Sequence, residues 1–164
     1  MPSKRKQSEG TPSVPELKVP AEFLDQLVKG PMTQGEVEAV CRSLKKAVIE
    51  RAMGAELSQH LGYAPGEPKP VEQDNHRNGT TGKTVLTDDG PVRIEVPRDR
   101  AGSFEPQIIP KHERRFTGFD EKIVAMYARG MTVREIQGFL AEMYATEVSP
   151  EFISKVTDEV MAEV

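Results

Sequence analysis

Residues 75–115 read NHRNGTTGKTVLTDDGPVRIEVPRDRAGSFEPQIIPKHERR, the only part of the chain patterned as strand and ordered loop. Lys83–Thr87 (KTVLT) and Val92–Val96 (VRIEV) are short β-prone runs. The Asp88-Asp89-Gly90-Pro91 link between them carries the Asp-Gly signal of a hairpin. In the second run Val92, Ile94 and Val96 alternate with Arg93 and Glu95, so one face is expected to be buried and the other wet. Pro97 has no N–H to donate and is expected to end the pairing, leaving Arg98, Asp99 and Arg100 on an exposed turn. The two adjacent aspartates read as turn chemistry rather than catalytic acids, because neighbouring side chains there point apart and flank Gly90.

On the N-terminal side the patterns are helical. Residues 1–19 hold three Pro, three Ser and the basic triplet Lys4-Arg5-Lys6 with little that is apolar, and read as a disordered tail. Phe23, Leu24, Leu27 and Val28 share one face of a short helix over residues 20–29, stopped by Gly30-Pro31. Thr33 and Glu36 have capping-box spacing at the start of a longer helix. Its expected apolar stripe is Val37, Val40, Cys41, Leu44, Val48, Ala52 and Ala55, continued by Leu57 and Leu61 to Gly62 at the C′ position. Arg42, Lys45, Lys46 and Glu50 read as its solvated face, with a paired, dimer-forming helix as the alternative. Residues 64–74 (APGEPKPVEQD), with three Pro and four charges, read as an exposed linker.

On the C-terminal side three helices are expected. The first, over 120–129, buries Ile123, Met126 and Tyr127. The second is capped by Thr132 with Glu135 and has a Val133, Ile136, Phe139, Leu140, Met143 stripe. The third starts at Ser149-Pro150 and buries Phe152, Ile153, Val156 and Val160. Phe116 and Phe119 are expected in the same core. Two short helices after a leading one, joined by residues 144–148, match a helix-turn-helix arrangement. The fold class is thus mostly α with a small β-hairpin. Its parts are a disordered tail (1–19), a helical region (20–63), a linker (64–74), a hairpin and Arg-rich loop block (75–115) and a trihelical unit (116–164).

Composition bounds the function. With 164 residues, 37% hydrophobic, no Trp and nine aromatics, the chain holds one ordinary domain or two small ones, and part of it is expected to stay unpacked. A net charge of −4 gives no global nucleic-acid footprint, so any DNA contact has to rest on local patches. Cys41 is the single cysteine, which excludes an internal disulfide and a cysteine-based zinc site, and a half-buried thiol in a reduced compartment is expected. His60, His76 and His112 match no metal-ligand spacing, so no metal and no cofactor is expected. Signal peptide and apolar span are both lacking, which points to a cytoplasmic chain with no membrane partner.

The local patch is basic. Between residues 93 and 115, Arg93, Arg98, Arg100, Lys111, Arg114 and Arg115 outnumber four acids. Arg98 with Arg100, and Lys111 with Arg114 and Arg115, are candidates to straddle a DNA backbone, since Arg on exposed loops suits phosphate. A local salt-bridge cluster with Asp99 and Glu113 is the alternative. Residues 119–164 carry four bases against nine acids, so DNA contact by the last helix falls to Ser149, Ser154, Lys155 and the free N–H groups of its first turn.

Asn78-Gly79, Lys83, Thr87, Gly90 and above all Ile94-x-Val96-Pro97-Arg98-Asp99-Arg100-x-Gly102-x-Phe104-Glu105-Pro106 resemble the N-terminal region of Mutator-type bacterial insertion-sequence transposases, over about residues 36–164. The resemblance implies recognition of the terminal inverted repeats of double-stranded DNA. It also implies an RNase H-like catalytic domain, with a metal-binding carboxylate triad, beyond the region matched. No triad position falls in this sequence, so no catalytic residue is expected here and a divalent metal only in that further domain. An interaction module pairing with itself or with full-length transposase, inhibiting it, is the competing function. An inert remnant of a decayed element is a weaker third.

Overall fold

The computed structural model describes residues 16–87, 89–115, 117–144 and 147–163. Most of the expected tail, Asp88 in the hairpin turn, Phe116 and part of the 144–148 link lie outside these residues. The element order is α1 (Ala21–Leu27), α2 (Gln34–Leu61), β1 (Arg77–Thr87), β2 (Gly90–Asp99), α3 (Thr117–Ala128), α4 (Val133–Tyr144) and α5 (Pro150–Glu163). The chain is mostly helical, with one antiparallel two-stranded sheet. It divides into two compact units, one ending at Val37 and one running from Glu38. In the first, α1 buries no residue. The capping box forms as expected: the Thr33 N–H donates to Glu36 Oε2 (2.7 Å) and the Glu36 N–H to Thr33 Oγ1 (3.2 Å).

In the second unit α2 packs on the hairpin, but through a different stripe from the one expected. Ile49, Met53, Leu57 and Leu61 are its buried residues, at steps of four. Leu44, Val48 and Cys41 are exposed. Ile49 and Met53 meet Val85, Val92, Ile94 and Ile109, while Leu57 and Leu61 meet Phe104. The reason lies in the charged residues beside that stripe, which are not merely solvated. Lys46 Nζ donates to the Arg93 carbonyl (2.8 Å), and Glu50 Oε1 accepts from the Glu95 N–H (2.9 Å). Arg42 and Lys45 reach Asp89. The Lys46 and Glu50 bonds satisfy backbone groups on the edge of β2 that β1 does not use. The Lys46 ammonium, 2.6 Å away, holds the Glu50 carboxyl below its ordinary value against the effect of burial.

The hairpin is longer than the β-prone runs. Pairing extends through Thr80↔Pro97 to Arg77↔Asp99, with an irregularity between Arg77 and Thr80. Pro97 therefore does not end the ladder. A two-stranded sheet has two edges, and a proline there forfeits one N–H without breaking a central row of bonds. Val92 and Ile94 are buried and Val96 half-buried, as the alternation predicts.

Asp99 departs most from expectation. It is buried, not on an exposed turn, with its side chain 2% accessible. Its Oδ2 accepts from Asn75 Nδ2 (2.7 Å), the Ser103 N–H (3.1 Å) and Ser103 Oγ (2.8 Å), and Oδ1 from the Phe104 N–H (3.2 Å). His60 Nε2 lies 3.7 Å from Oδ2. Burial pushes this carboxyl up, but the hydrogen bonds from Asn75, Ser103 and Phe104 outweigh it and hold its pKa far below the ordinary value.

Helices α3, α4 and α5 bury Phe119, Ile123, Met126, Ile136, Leu140, Val148, Ile153 and Val156 in one cluster. The Thr132–Glu135 capping box forms, and Ser149 Oγ caps α5 by accepting the Phe152 N–H (3.1 Å). Tyr127, Phe139, Met143 and Val160, expected inside, are exposed. Each lies at the margin of its helix stripe, and a three-helix core has room only for the centre. Leu86 joins this cluster, and its N–H donates to the Arg114 carbonyl (2.7 Å), tying the hairpin to the trihelical unit.

Asp99→Asn is expected to cost about 3 kcal/mol in urea unfolding at neutral pH, because an amide cannot accept from every donor now aimed at the carboxylate. The folded carboxyl titrates below its unfolded value near 3.8, so its stabilisation is full above that value and lost as the pH falls through and below it. The acid limb of stability against pH should flatten in the variant; an unchanged limb would assign it to other groups.

Candidate nucleic-acid interface

Strand alternation assembles the basic cluster. Lys83 shares parity with the buried Val85 and Thr87, and Arg98 shares it with Val92, Ile94 and Val96. Both cations thus stand on the face of the hairpin that α2 covers at one end. At the other end residues 102–114 fold over it. Glu56 on α2 pins that loop by accepting the N–H groups of Gln107 (2.8 Å) and Ile108 (3.1 Å), and Phe104 and Ile109 plug into the core. Positive φ at Gly102 (68°) and His112 (71°) turns the loop at its two ends; among the described residues His112 is the single non-glycine in this region.

Between loop and hairpin lies a cleft of about 580 Å³. Val96, Pro97, Phe104, Pro106 and Ile109 give it apolar lining, and Lys83, Arg98, Lys111, His112 and Arg114 give it polar lining. Lys83 Nζ donates to the Pro110 carbonyl (3.1 Å), Lys111 Nζ to that of Gly102 (3.3 Å) and Arg98 Nη2 to that of Asn78 (3.4 Å). Lys83, Arg98, Lys111 and Arg114 have no ion pair among the described residues. Among the described residues Asp99 is the one carboxylate lining the cleft, and its oxygens are engaged from within. Burial, followed by the nearby Arg114 charge, pushes the Lys83 ammonium below its ordinary value, with Glu113 partly opposing. The alternative salt-bridge cluster of these arginines with Asp99 and Glu113 does not form among the described residues.

The structure therefore brings together Arg98, Lys111 and Arg114, three of the residues singled out by charge, and adds Lys83 and His112. Lys83 was legible in principle: a lysine in register with Val85 and Thr87 belongs to the inward face of its strand. Arg93 stands on the other face, its guanidinium so close over Gly82 that a Cβ there would come within 2.1 Å of Nη2. Arg100 is exposed beyond β2 and does not line the cleft. Arg115 is engaged internally: its Nε is 2.9–3.0 Å from the Asp120 carboxylate oxygens, and its guanidinium stacks 4.5 Å from the Phe152 ring centroid. On α5, Ser149 Oγ is occupied as the cap. Ser154 and Lys155 share a shallow surface with Glu151, Asp158 and Glu159, and Lys155 lies 3.9 Å from Glu159. That surface repels phosphate. Among the described residues no three His, Cys, Asp or Glu side chains converge as a metal site, and no helix is long and apolar enough to cross a membrane.

Residues 20–164 match the family model described as Transposase, Mutator family. The chain is 49% identical over 142 residues to the transposase for insertion sequence element ISRM3 of Rhizobium meliloti (strain 1021), covering 85% of this chain and 35% of that relative. It is 48% identical, with the same coverage, to a probable transposase for an ISRM3-like element of Sinorhizobium fredii (strain NBRC 101917 / NGR234). It is also 30% identical to the transposase for insertion sequence element IS905 of Lactococcus lactis subsp. lactis (strain IL1403), covering 83% of this chain and 35% of that relative. A hairpin-and-loop cleft joined to a small helical unit thus lies in a region shared with insertion-sequence transposases. The chain belongs to the Mutator family of transposases, and it spans about a third of the length of these curated relatives.

Arg114→Gln is expected to raise the pKa of the Lys83 amine, followed by its ε-proton shifts in an NMR titration, but not to its ordinary value, because burial remains. No change would show that solvent screens the Arg114 charge.

Proposed function

We propose that this chain is a DNA-binding part of an insertion-sequence transposase, recognising the terminal inverted repeats of its element. The carboxylate triad that cuts and joins DNA is then supplied by a further catalytic domain, and this polypeptide alone cleaves nothing. The observation that carries the reading is the cleft: four cations gathered without ion pairs among the described residues, in a chain of net charge −4. Gathering like charges costs free energy that a bound polyanion returns through counterion release. The family membership supplies the class of polyanion. Positioning falls to Lys83, Arg98, Lys111 and Arg114, with Arg100 and Arg93 as outlying phosphate contacts. Arg115 acts through the fold. Ser149, Ser154, Lys155 and the helix-turn-helix geometry carry less of the binding, given the acids around them.

Anisotropy titration of labelled duplexes, terminal repeat against scrambled sequence at several salt concentrations, tests this. Expected are at least tenfold tighter binding to the true end, about 1.4 kcal/mol, and a salt slope reduced by about one for each of Arg98→Gln and Lys111→Gln. Equal, weak binding to both duplexes would overturn it.

A second reading, a module that pairs with another copy of the transposase, is favoured by one observation: Leu44 and Val48 stand exposed on α2 away from the hairpin. If it holds, the protein is dimeric by light scattering at high concentration, and Leu44→Asp with Val48→Lys makes it monomeric. A monomer throughout would remove it.

A further inference from the structure

The cleft is built for more than a phosphate. Its volume of about 580 Å³ falls in the range of roughly 300–1,000 Å³ that holds whole small molecules. A lone phosphate held by the cations would leave the half-buried apolar lining, Val96 and Pro97, in contact with water. The ligand this chemistry fits is anionic at one end and flat and apolar at the other. The phosphate-bearing backbone of paired duplex keeps its bases stacked inside and offers no such end; an unpaired nucleotide does.

We propose that the cleft seats one unpaired nucleotide of the bound DNA. Its base lies on Val96 and Pro97, and its flanking phosphates meet Lys83, Arg98, Lys111 and Arg114. This rests on the DNA-binding reading above and goes beyond it, since duplex binding needs no extruded base. The cleft is preorganised, because Glu56 and the Asp99 hydrogen bonds hold the loop in place before any ligand arrives, and binding has little left to order.

The test compares fully paired terminal-repeat duplexes with the same duplexes carrying one extra unpaired thymidine, placed in turn at each outer position. Both series are titrated at fixed salt with the intact chain. A bulge removes the unpairing cost in advance, so at least one bulged duplex is expected to bind tenfold or more tightly than its paired parent. Thr81→Trp, which places an indole in the cleft, should bring that ratio to one, with far-UV circular dichroism and the thermal midpoint reporting that the variant is folded. Equal affinity for every bulged duplex and its parent would overturn the proposal while leaving duplex recognition standing. No binding to any duplex would overturn both. Free thymidine monophosphate should compete only in large excess; competition at the concentration of the bulged duplex would make a free nucleotide, not DNA, the occupant.

Discussion

A carboxylate taken out of water has either to find donors or to give up its charge. Asp99 finds four hydrogen bonds, and they come from both sides of the chain: Asn75 before the first strand, Ser103 and Phe104 after the second. Those bonds fix the direction in which the chain leaves β2. From there Phe104 drops onto Leu57 and Leu61, Ile109 onto Ile49 and Met53, and the loop closes over the outer part of the hairpin face. Without the ionised Asp99 the start of residues 102–114 would lose its anchor, and Glu56 and the buried Phe104 and Ile109 would have to hold the loop alone.

The hairpin face is used twice. Its inner end is core, where Val85, Val92 and Ile94 meet α2, and its outer end is the cleft, where the same alternation continues as Lys83 and Arg98. Placing a charge at the end of an apolar row half-buries Lys83, which is why it is pushed toward its neutral form, while Arg98 stays exposed. The trihelical unit is the electrostatic opposite, acidic and capped, and it attaches through Leu86 and the Arg114 backbone beside the cleft.

Much of this was legible in the residues. The two Thr-x-x-Glu boxes, the Gly62 stop and the period-two run at Val92–Val96 all act through local chemistry, and all appear where the sequence puts them. The motif through Pro97, Asp99, Gly102, Phe104 and Pro106 also identified the family, and the fold explains its composition: one member is the buried carboxylate and the others line the cleft. What was not legible depends on partners distant in sequence. Both Val37–Leu44–Val48 and Ile49–Met53–Leu57–Leu61 have helical spacing, and periodicity does not say which stripe will meet a hairpin nearly fifty residues away. Asp99, flanked by two arginines, carries every local mark of exposure. Gly82 is a poor strand former, and β1 runs through it because Glu95 offers the pairing, whereas Asn78 and Gly79 fall at the irregularity in the register.

The bonds that Lys46 and Glu50 make to the backbone of Arg93 and Glu95 also bear on the chain's birth. A two-stranded ribbon with a free edge invites a strand from another molecule. Here the side chains that occupy that edge belong to a helix preceding the ribbon, so during synthesis the helix leaves the ribosome first. By the time Glu95 emerges its cover is already waiting, and nascent neighbours on the same message find that part of the edge taken.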